Sequence, residues 1–165
     1  MASLCLVRID SRLIHGQVAT LWTKQVNASK IIIIDDETYA DKYISKILAL
    51  AAPQGMKVTI YSIEQAVEQW KTNAFGSGRA FVLFRDIQSA YEAYTRGFVY
   101  PDLQIGGMGA APGRVIAHGP ISISEDDAVK LKELSSKGCK IVFRVLPNYS
   151  PESWESVKKR VFPNV

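Results

Sequence analysis

Residues 8–17, RIDSRLIHGQ, bring together side chains that could handle a phosphoryl group. The imidazole of His15 is a competent nucleophile near neutral pH when one ring nitrogen keeps a free electron pair. Arg8 and Arg12 precede it, and guanidinium groups bind phosphate oxygens through two parallel hydrogen bonds. Asp10 could hold one of these arginines or the imidazole in place. Phosphoryl transfer depends mostly on alignment and charge neutralisation, so these residues predict a histidine that accepts a phosphoryl group and hands it on.

Two other interpretations of the same residues stay open. A single histidine before a helix is often a cap or a surface residue, and Arg8 could simply pair with Asp10. The segment could also be a passive phosphate-binding loop. In that case the backbone N–H groups of a helix that begins near His15 or Gly16 would hold the anion.

Apolar runs alternate with amphipathic stretches and indicate how these residues are positioned. Strands are predicted at 3–9, 30–35, 57–61, 79–84, 102–106 and 139–145. Uninterrupted runs such as IIII indicate strands buried on both faces of a parallel sheet. Helices fit between the strands, for example at 15–26 and 39–51. The alternation predicts a single-domain α/β fold, an open, doubly wound, mainly parallel sheet with helices on both faces. The stretch after Ile105 breaks the pattern and predicts an antiparallel edge strand or hairpin around 114–123.

Capping residues mark several helix starts. Ser62 and Gln65 have the spacing of a capping box. Ser124 precedes an acidic first turn, which suits the helix dipole. Ser150 and Pro151 are predicted to begin the last helix, with proline at the first helical position.

Ligands of open α/β sheets bind beyond the carboxyl ends of the strands, and that edge holds further candidate segments. Residues 35–37, Asp-Asp-Glu, could ligate Mg²⁺, cap a helix or contact the arginine side of the His15 site. Residues 85–86, Arg-Asp, directly follow the fourth predicted strand. Residues 106–109, Gly-Gly-Met-Gly, fit neither the dinucleotide-binding nor the P-loop pattern. We expect these glycines to let the backbone pass close to the His15 loop or to a docking partner. His118 has no obvious partner and is expected to be structural or exposed.

Composition limits the function classes. The chain has 165 residues, 47% of them hydrophobic, and a formal net charge of +4. The sequence has no cluster of Lys and Arg with interleaved aromatic residues, so it does not indicate nucleic-acid binding. No export signal and no apolar run long enough to span a membrane is visible. A soluble intracellular protein is therefore expected, and its mildly basic net charge suits an anionic ligand or an acidic surface on a partner. Cys5 and Cys139 lack metal-ligand spacing and are predicted to be small buried hydrophobes.

The chain resembles the IIB subunits of the mannose/fructose/sorbose family of the bacterial sugar phosphotransferase system. The resemblance is carried by R-x-D-x-R-L-I-H-G-Q-V at 8–18, I-I-I-I-D-D-E at 31–37 and A-A-P-Q-G-M-K-V-T-I-Y-S at 51–62. It continues through Q-I-G-G-M at 104–108, S-I-S-x-x-D at 122–127 and K-G-C-K-I at 137–141, and covers most of residues 4–147.

The resemblance implies a function and a site. A IIB subunit accepts a phosphoryl group from a phosphohistidine of the IIA subunit and passes it to a sugar held by the membrane subunits IIC and IID. The carrier histidine matches His15. The residues expected to bind the phosphoryl group are Arg12 first, then Arg8, Ser11, Gly16 and Gln17. The residues expected to orient or support the site are Asp10, Asp35 and Asp36.

Further expectations accompany the resemblance. Residues 1–165 are expected to form one IIB domain in the cytoplasm, associated peripherally with the permease, with IIA either on a separate chain or outside this sequence. The protein is expected to need neither a cofactor nor a metal ion, because arginines and backbone N–H groups can neutralise the charge. Many members carry an acidic residue where Ser11 stands, and the Ser11 hydroxyl could bond the phosphoryl oxygens or cap the helix.

Two other function classes are kept beside phosphoryl transfer to sugar. One is a regulatory domain that keeps the fold and the docking surface without phosphorylating sugar. The other is a module that binds a small anion or a nucleotide without becoming phosphorylated.

Overall fold

Nine strands and seven helices alternate along the described backbone. The structure of the protein is a computed structural model that describes residues 1–165 apart from the side chains of Gln17 and Val18. The strands are β1 Ser3–Ile9, β2 Lys30–Ile34, β3 Lys57–Tyr61, β4 Arg79–Phe84, β5 Asp102–Ile105, β6 Arg114–His118, β7 Ile121–Ser124, β8 Lys140–Phe143 and β9 Glu152–Ser153. The helices are α1 Gly16–Gln25, α2 Asp36–Ala40, α3 Lys42–Ala51, α4 Ile63–Asn73, α5 Ile87–Thr95, α6 Glu125–Ser136 and α7 Trp154–Val161.

Seven of these strands form one open sheet in the order β3-β2-β4-β1-β5-β8-β9. Each neighbouring pair from β3 to β8 is parallel, and β9 joins the edge antiparallel to β8. Strands β6 and β7 form a separate antiparallel hairpin. The predicted fold class is therefore confirmed, including the antiparallel edge strand and the hairpin near 114–123.

Helices cover both faces of the sheet because its central strands are apolar on both sides. On one face, α1 and α3 bury Trp22 and Leu48 against Ile31 and Phe81. On the other face, α4, α5, α6 and α7 form the larger core. Both cysteines are free thiols, and burial raises the pKa of Cys139 to about 12, so that residue behaves as a small hydrophobe.

Three local predictions were wrong, each because a polar side chain found a different partner. The helix predicted at 39–51 is interrupted at Asp41, whose carboxylate caps α3 by accepting from the N–H groups of Tyr43 and Ile44. Ser62 does cap α4, but the Gln65 side chain donates to the Tyr39 hydroxyl instead of completing a capping box.

The third correction concerns the last helix. It begins at Trp154 with Ser153 as its cap, and not at Pro151. The residues between them are held as strand β9, where Glu152 pairs with Phe143 and Ser153 pairs with Val142.

Glu152 ties the hairpin to the last helix. Its carboxylate pairs with the His118 imidazole on β6 at 2.6 Å and with the Arg160 guanidinium on α7 at 2.8 Å. His118 is thus a structural residue as expected, but it has a partner that its apolar surroundings in the sequence did not reveal. Burial alone would raise the pKa of Glu152, yet hydrogen bonds from Arg160, His118 and Ser156 lower it to about 2.

Replacing Glu152 with Gln is expected to weaken the dependence of stability on acid pH. A carboxylate whose pKa is lower in the folded chain stabilises the fold above its ordinary pKa of 4.5. That contribution is lost as the pH falls toward 2, the folded-state value. Urea unfolding measured at several pH values should show a steeper loss of unfolding free energy in the wild type than in Glu152→Gln. Parallel curves would show that this carboxylate does not link the two elements.

Candidate active site

The segment after β1 turns sharply at the carboxyl edge of the sheet. Asp10 continues the strand, donating its N–H to the Phe84 carbonyl of β4. One oxygen of the Asp10 carboxylate then accepts from the Arg12 N–H at 3.1 Å, and the Leu13 N–H donates to the Asp10 carbonyl at 2.9 Å. Leu13 is buried and has a φ of +56°, a left-handed conformation that costs energy in a non-glycine residue. The turn delivers His15 to the start of α1.

His15 is held by Asp10. The imidazole Nε2 lies 3.1 Å from the second carboxylate oxygen of Asp10, and the carboxylate side chain is 2% exposed. An ionised carboxylate only accepts hydrogen bonds, so Nε2 carries the proton and donates it. The other ring nitrogen, Nδ1, has no hydrogen-bond partner among the side chains and backbone that the structure describes. In the neutral imidazole, Nδ1 is then the ring nitrogen that keeps an electron pair.

The His15 side chain is 17% exposed, although it stands at the N-cap position of α1. It makes no capping hydrogen bond there, so the interpretation of this histidine as a cap is not supported. The His15 imidazole is therefore mostly buried but still accessible to solvent.

Arg8 lies behind Asp10 and is 1% exposed. Its guanidinium donates to the Gln104 side chain and to the carbonyls of Arg144 and Val145, and it lies 5.0 Å from the centre of the Trp22 ring. Its distance to the Asp10 carboxylate is 3.6 Å. Burial lowers the pKa of Arg8 to about 10 while Asp10 opposes that shift, so the group remains charged at neutral pH.

These contacts overturn the prediction that Arg8 binds the phosphoryl group. A docking macromolecule cannot reach this guanidinium, because it is 1% exposed and both terminal nitrogens face protein oxygens, while its buried Nε has no hydrogen-bond partner among the described residues. Arg8 instead holds the Asp10 carboxylate in place through their ion pair. That carboxylate in turn holds the imidazole through its hydrogen bond with Nε2.

Two glycines make room for this pair. A Cβ at Gly106 would lie 2.2 Å from the Arg8 guanidinium carbon, and a Cβ at Gly107 would lie 2.7 Å from an Asp10 carboxylate oxygen. The Gly107 carbonyl also accepts from the Ser11 N–H at 2.6 Å. The expectation that the glycines of 106–109 let the backbone pass close to the His15 loop is confirmed for Gly106 and Gly107, whereas a Cβ at Gly109 would meet no atom within 4 Å.

Asp35 supports the loop from its other side. Its carboxylate caps α2 through the Thr38 N–H and pairs with Arg85 at 3.1 Å. Arg85 in turn donates to the Ser11 carbonyl at 3.3 Å. Burial works to raise the pKa of Asp35, but hydrogen bonds from Arg85 and Thr38 outweigh it and lower the pKa below its ordinary value.

Asp36 takes no part in this arrangement. Its carboxylate accepts from the Ile63 N–H at 2.8 Å and fastens α2 to the start of α4. The prediction that Asp36 supports the site is corrected. Its carboxylate binds the first residue of α4, whereas the Asp35 carboxylate binds Arg85 beside the His15 loop.

The exposed side of the loop is formed by Ser11, Arg12 and Gly16. Ser11 and Arg12 border a cavity of about 320 Å³ whose other walls include Gly107, Met108 and Pro120. Gly16 has a φ of +36° and starts α1 directly after the imidazole. The predicted contact from the Gln17 side chain lies outside the described part of the chain.

Sequence reasoning missed two contributors to the site and gave no role to a third. Gln104 and Trp22 surround Arg8, and Arg85 holds the Ser11 carbonyl. Gln104 carried a usable signal, since a polar side chain two residues before a Gly-Gly pair, near the end of a strand, is unusual in a buried strand. Trp22 lies in the helix predicted at 15–26, where its apolar character gave no indication of a contact with Arg8.

Within the described residues, no group of three or more His, Cys, Asp or Glu side chains is placed to hold a metal ion. No described helix combines the length and the apolar character that a membrane crossing needs.

The fold and the site define an open α/β protein that presents a carboxylate-held histidine at the carboxyl edge of its sheet. Comparison with known proteins identifies the family to which this protein belongs. The family model "PTS system sorbose subfamily IIB component" matches residues 4–162. The sorbose-specific EIIB component of Lacticaseibacillus casei is 36% identical over 141 residues, covering 86% of each chain.

Two further relatives agree. The mannose-specific EIIAB component of Escherichia coli K12 is 31% identical over 139 residues, which are 84% of this chain and 43% of that protein. The crystal structure of the IIBSor domain of the Klebsiella pneumoniae sorbose permease superposes with a TM-score of 0.89 at 33% identity, covering 97% of this chain and 99% of that one.

The chain belongs to the sorbose subfamily of PTS IIB components. It is the IIB component of a sugar phosphotransferase system, and a phosphotransferase by class. This outcome confirms the family resemblance and does not favour the regulatory or anion-binding alternatives.

Proposed function

We propose that His15 carries the phosphoryl group on its Nδ1 atom, received from a phosphohistidine of a IIA subunit and delivered to a sugar held by IIC and IID. The observation that carries this proposal is the Nε2–Asp10 hydrogen bond at 3.1 Å. It leaves Nδ1 as the ring nitrogen with an available electron pair. The reaction is then that of a protein-N(π)-phosphohistidine–sugar phosphotransferase.

The transfer to His15 is a displacement at phosphorus. The Nδ1 electron pair of His15 forms the new bond while the donor's phosphorus–nitrogen bond breaks and its electron pair stays on the donor ring. Because Nε2 keeps its proton, the phosphorylated ring gains positive character, which the Asp10 carboxylate offsets. The same geometry makes the ring a good leaving group for the next transfer.

The second transfer reverses the roles. The sugar hydroxyl oxygen bonds to phosphorus, the Nδ1–phosphorus electron pair returns to the His15 ring, and the hydroxyl proton passes to a base on the acceptor side or to solvent. Arg12, exposed in the same loop three residues before His15, is the side chain proposed to pair with the phosphoryl oxygens, and Ser11 and the N-terminus of α1 are proposed as further donors. Gln17, at the second position of α1, is kept as a further proposed phosphate contact.

The remaining proposals concern place and partners. Residues 1–165 act as one IIB domain in the cytoplasm, bound peripherally to the permease. The IIA subunit is the phosphoryl donor, and the EIIAB name of the Escherichia coli relative fits a close association of the two components. Neither a cofactor nor a metal ion is needed for the transfer.

Replacing His15 with Gln is expected to abolish phosphorylation. Wild-type protein mixed with phosphorylated IIA should gain one acid-labile phosphoryl group per chain, and adding membranes that contain IIC and IID should pass it to sugar. The chain has two histidines, so His118→Gln is the matched control and should be labelled like the wild type. Labelling that survives in His15→Gln would refute the assignment of the carrier.

A further inference from the structure

Strand β3 has an open edge. It ends the seven-stranded sheet and pairs only with β2, without a register shift. The first residue of β3 is exposed and the other four are half-buried, whereas the four isoleucines of β2 are buried. An open strand edge can extend a sheet by accepting another strand.

The backbone groups of β3 alternate between β2 and the open edge. The Asp35 N–H donates to the Tyr61 carbonyl, so the backbone of Tyr61 faces β2. Because this direction alternates along a strand, Val58 and Ile60 turn their N–H and C=O groups outward. Among the described residues, no turn or loop supplies a partner for these outward groups. β3 therefore presents alternating donors and acceptors that are ready to pair.

Other strand edges of the fold are shorter or partly occupied. β9, at the opposite end of the sheet, has only two residues. In the hairpin, the Ala117 carbonyl of β6 accepts from the Arg160 guanidinium, and the Ser122 N–H of β7 donates to the Met108 carbonyl. These contacts hinder the addition of a strand there, whereas the edge of β3 has no such contact within the described part of the chain.

The strand is complementary to a second copy of itself. If two copies pair antiparallel about Thr59, Val58 of each lies opposite Ile60 of the other, and the two residues of each such pair exchange both N–H···O=C bonds. Thr59 then faces Thr59 of the second copy, a favourable pair across strands. Lys57 faces Tyr61 and not another lysine, so no like charges stand opposite each other.

Charge at the two ends of β3 favours the same antiparallel arrangement. β2 and β3 both begin with lysine, and the two lysines are paired in the sheet. Beyond the other ends of these strands, residues 35–41 and 62–68 contain six Asp and Glu residues and no Lys or Arg. Arg85 neutralises one of these carboxylates and Lys42 follows the first range, so negative charge remains in excess. Antiparallel pairing brings the lysine end of each copy to the acidic end of the other.

We propose that two copies of this chain associate through β3, paired antiparallel about Thr59, so that their sheets join into one. Both copies use the same surface, as a two-fold dimer requires. β2 and β4 separate β3 from β1, and the carboxyl edges of the joined sheets point in opposite directions, so both His15 loops stay open. A five-residue strand buries little surface, so the association is weak and depends on concentration. The inference is independent of the proposed function.

A cysteine at the centre of the pairing tests the register. In Thr59→Cys, the two new thiols would stand opposite each other with Cα atoms about 4.5 Å apart, within the range of a disulfide. Mild oxidation should convert most of the protein to a covalent dimer. Both variants of this test carry Cys5→Ser, which removes the half-buried native thiol, and the other native thiol, Cys139, is buried.

Lys57→Cys is the matched control for this cross-link. Lys57 is more exposed than Thr59, but its two copies would lie four residues apart along the paired strands, roughly 13 Å. Lys57→Cys should therefore cross-link far less than Thr59→Cys. Equal or faster cross-linking of Lys57→Cys would show random collision and overturn the proposed register.

Sedimentation equilibrium measures the association without a cross-link. The wild type should show a monomer–dimer equilibrium between about 1 μM and 1 mM. Val58→Pro removes an outward N–H and leaves the β2 ladder intact, so it should be monomeric over that range while circular dichroism shows it folded. A wild type that stays monomeric at about 1 mM would overturn the proposal, as would a folded Val58→Pro that dimerises normally.

Exchanging charges tests the direction of pairing with substitutions outside the core. Lys57→Glu and Glu64→Lys, both at exposed positions, should each raise the dimer dissociation constant by about tenfold, because each brings like charges together. An equimolar mixture should recover the dimer, since each variant offers the charge that the other lacks. Lys132→Glu on α6 is the control and should dimerise like the wild type. A mixture that associates no better than its components would refute the antiparallel arrangement.

Discussion

Replacing Asp10 with Asn is expected to slow phosphoryl transfer to His15 by about 10³-fold or more, the scale seen when a carboxylate that fixes a catalytic histidine is lost. The carboxamide can donate a hydrogen bond where the carboxylate could only accept one. Donation to Nε2 would place the ring proton on Nδ1 and remove the electron pair that attacks phosphorus. Single-turnover transfer from saturating phosphorylated IIA measures the loss at the chemical step.

The same substitution removes the buried ionic partner of Arg8, so stability needs its own measurement. Breaking a buried pair costs about 3–5 kcal/mol, and transfer should be compared at a temperature where unfolding curves show the variant folded. Asp86→Asn is the matched control. Asp86 caps α5 through the Ser89 N–H, and Asn caps helices equally well. A folded Asp10→Asn protein that transfers at the wild-type rate would remove the proposed role of the Nε2 hydrogen bond.

Replacing Gly106 with Ala is expected to destabilise the fold and to disturb the site together. The added methyl group would lie 2.2 Å from the Arg8 guanidinium carbon, and Arg8 is too enclosed to move aside. Overpacking of this kind costs about 1–3 kcal/mol or more. Chemical denaturation should show the lower unfolding free energy, and transfer to His15 should fall because Arg8 no longer holds Asp10 in place.

Gly109→Ala supplies the control in the same loop. A Cβ there meets no atom within 4 Å, and its backbone is not left-handed. Its unfolding free energy should stay within about 0.5 kcal/mol of the wild type. Equal effects at the two positions would mean that the close approach of Gly106 to Arg8 does not constrain the site.

Much of the fold was predictable because its elements obey local rules. The buried run at Ile31–Ile34 can only be satisfied inside a sheet, and the strand predicted at 57–61 matches β3 residue for residue. The interruption of the second predicted helix at Asp41 was not predictable from apolar spacing. Spacing reports which face is buried, but not where a carboxylate captures backbone N–H groups and starts a new helix.

The sequence predicted which residues form the site better than it predicted what each residue does there. The types and order of Asp10 and His15 were enough to propose a held imidazole. The role of Arg8 was not accessible, because its burial depends on Gln104 and on carbonyls of Arg144 and Val145, more than ninety residues away in the chain. A guanidinium has the same appearance in a sequence whether it faces a phosphate or protein oxygens. Only the packing around it decides.

The most direct test of the central claim is the position of phosphorus on the imidazole. Nitrogen-15 and phosphorus-31 NMR of the phosphorylated protein, labelled in its histidines, distinguishes a bond to Nδ1 from a bond to Nε2. The hydrogen bond between His15 and Asp10 predicts one phosphoryl group per chain, attached to Nδ1 of His15. Phosphorus on Nε2, or on any other residue, would contradict the account.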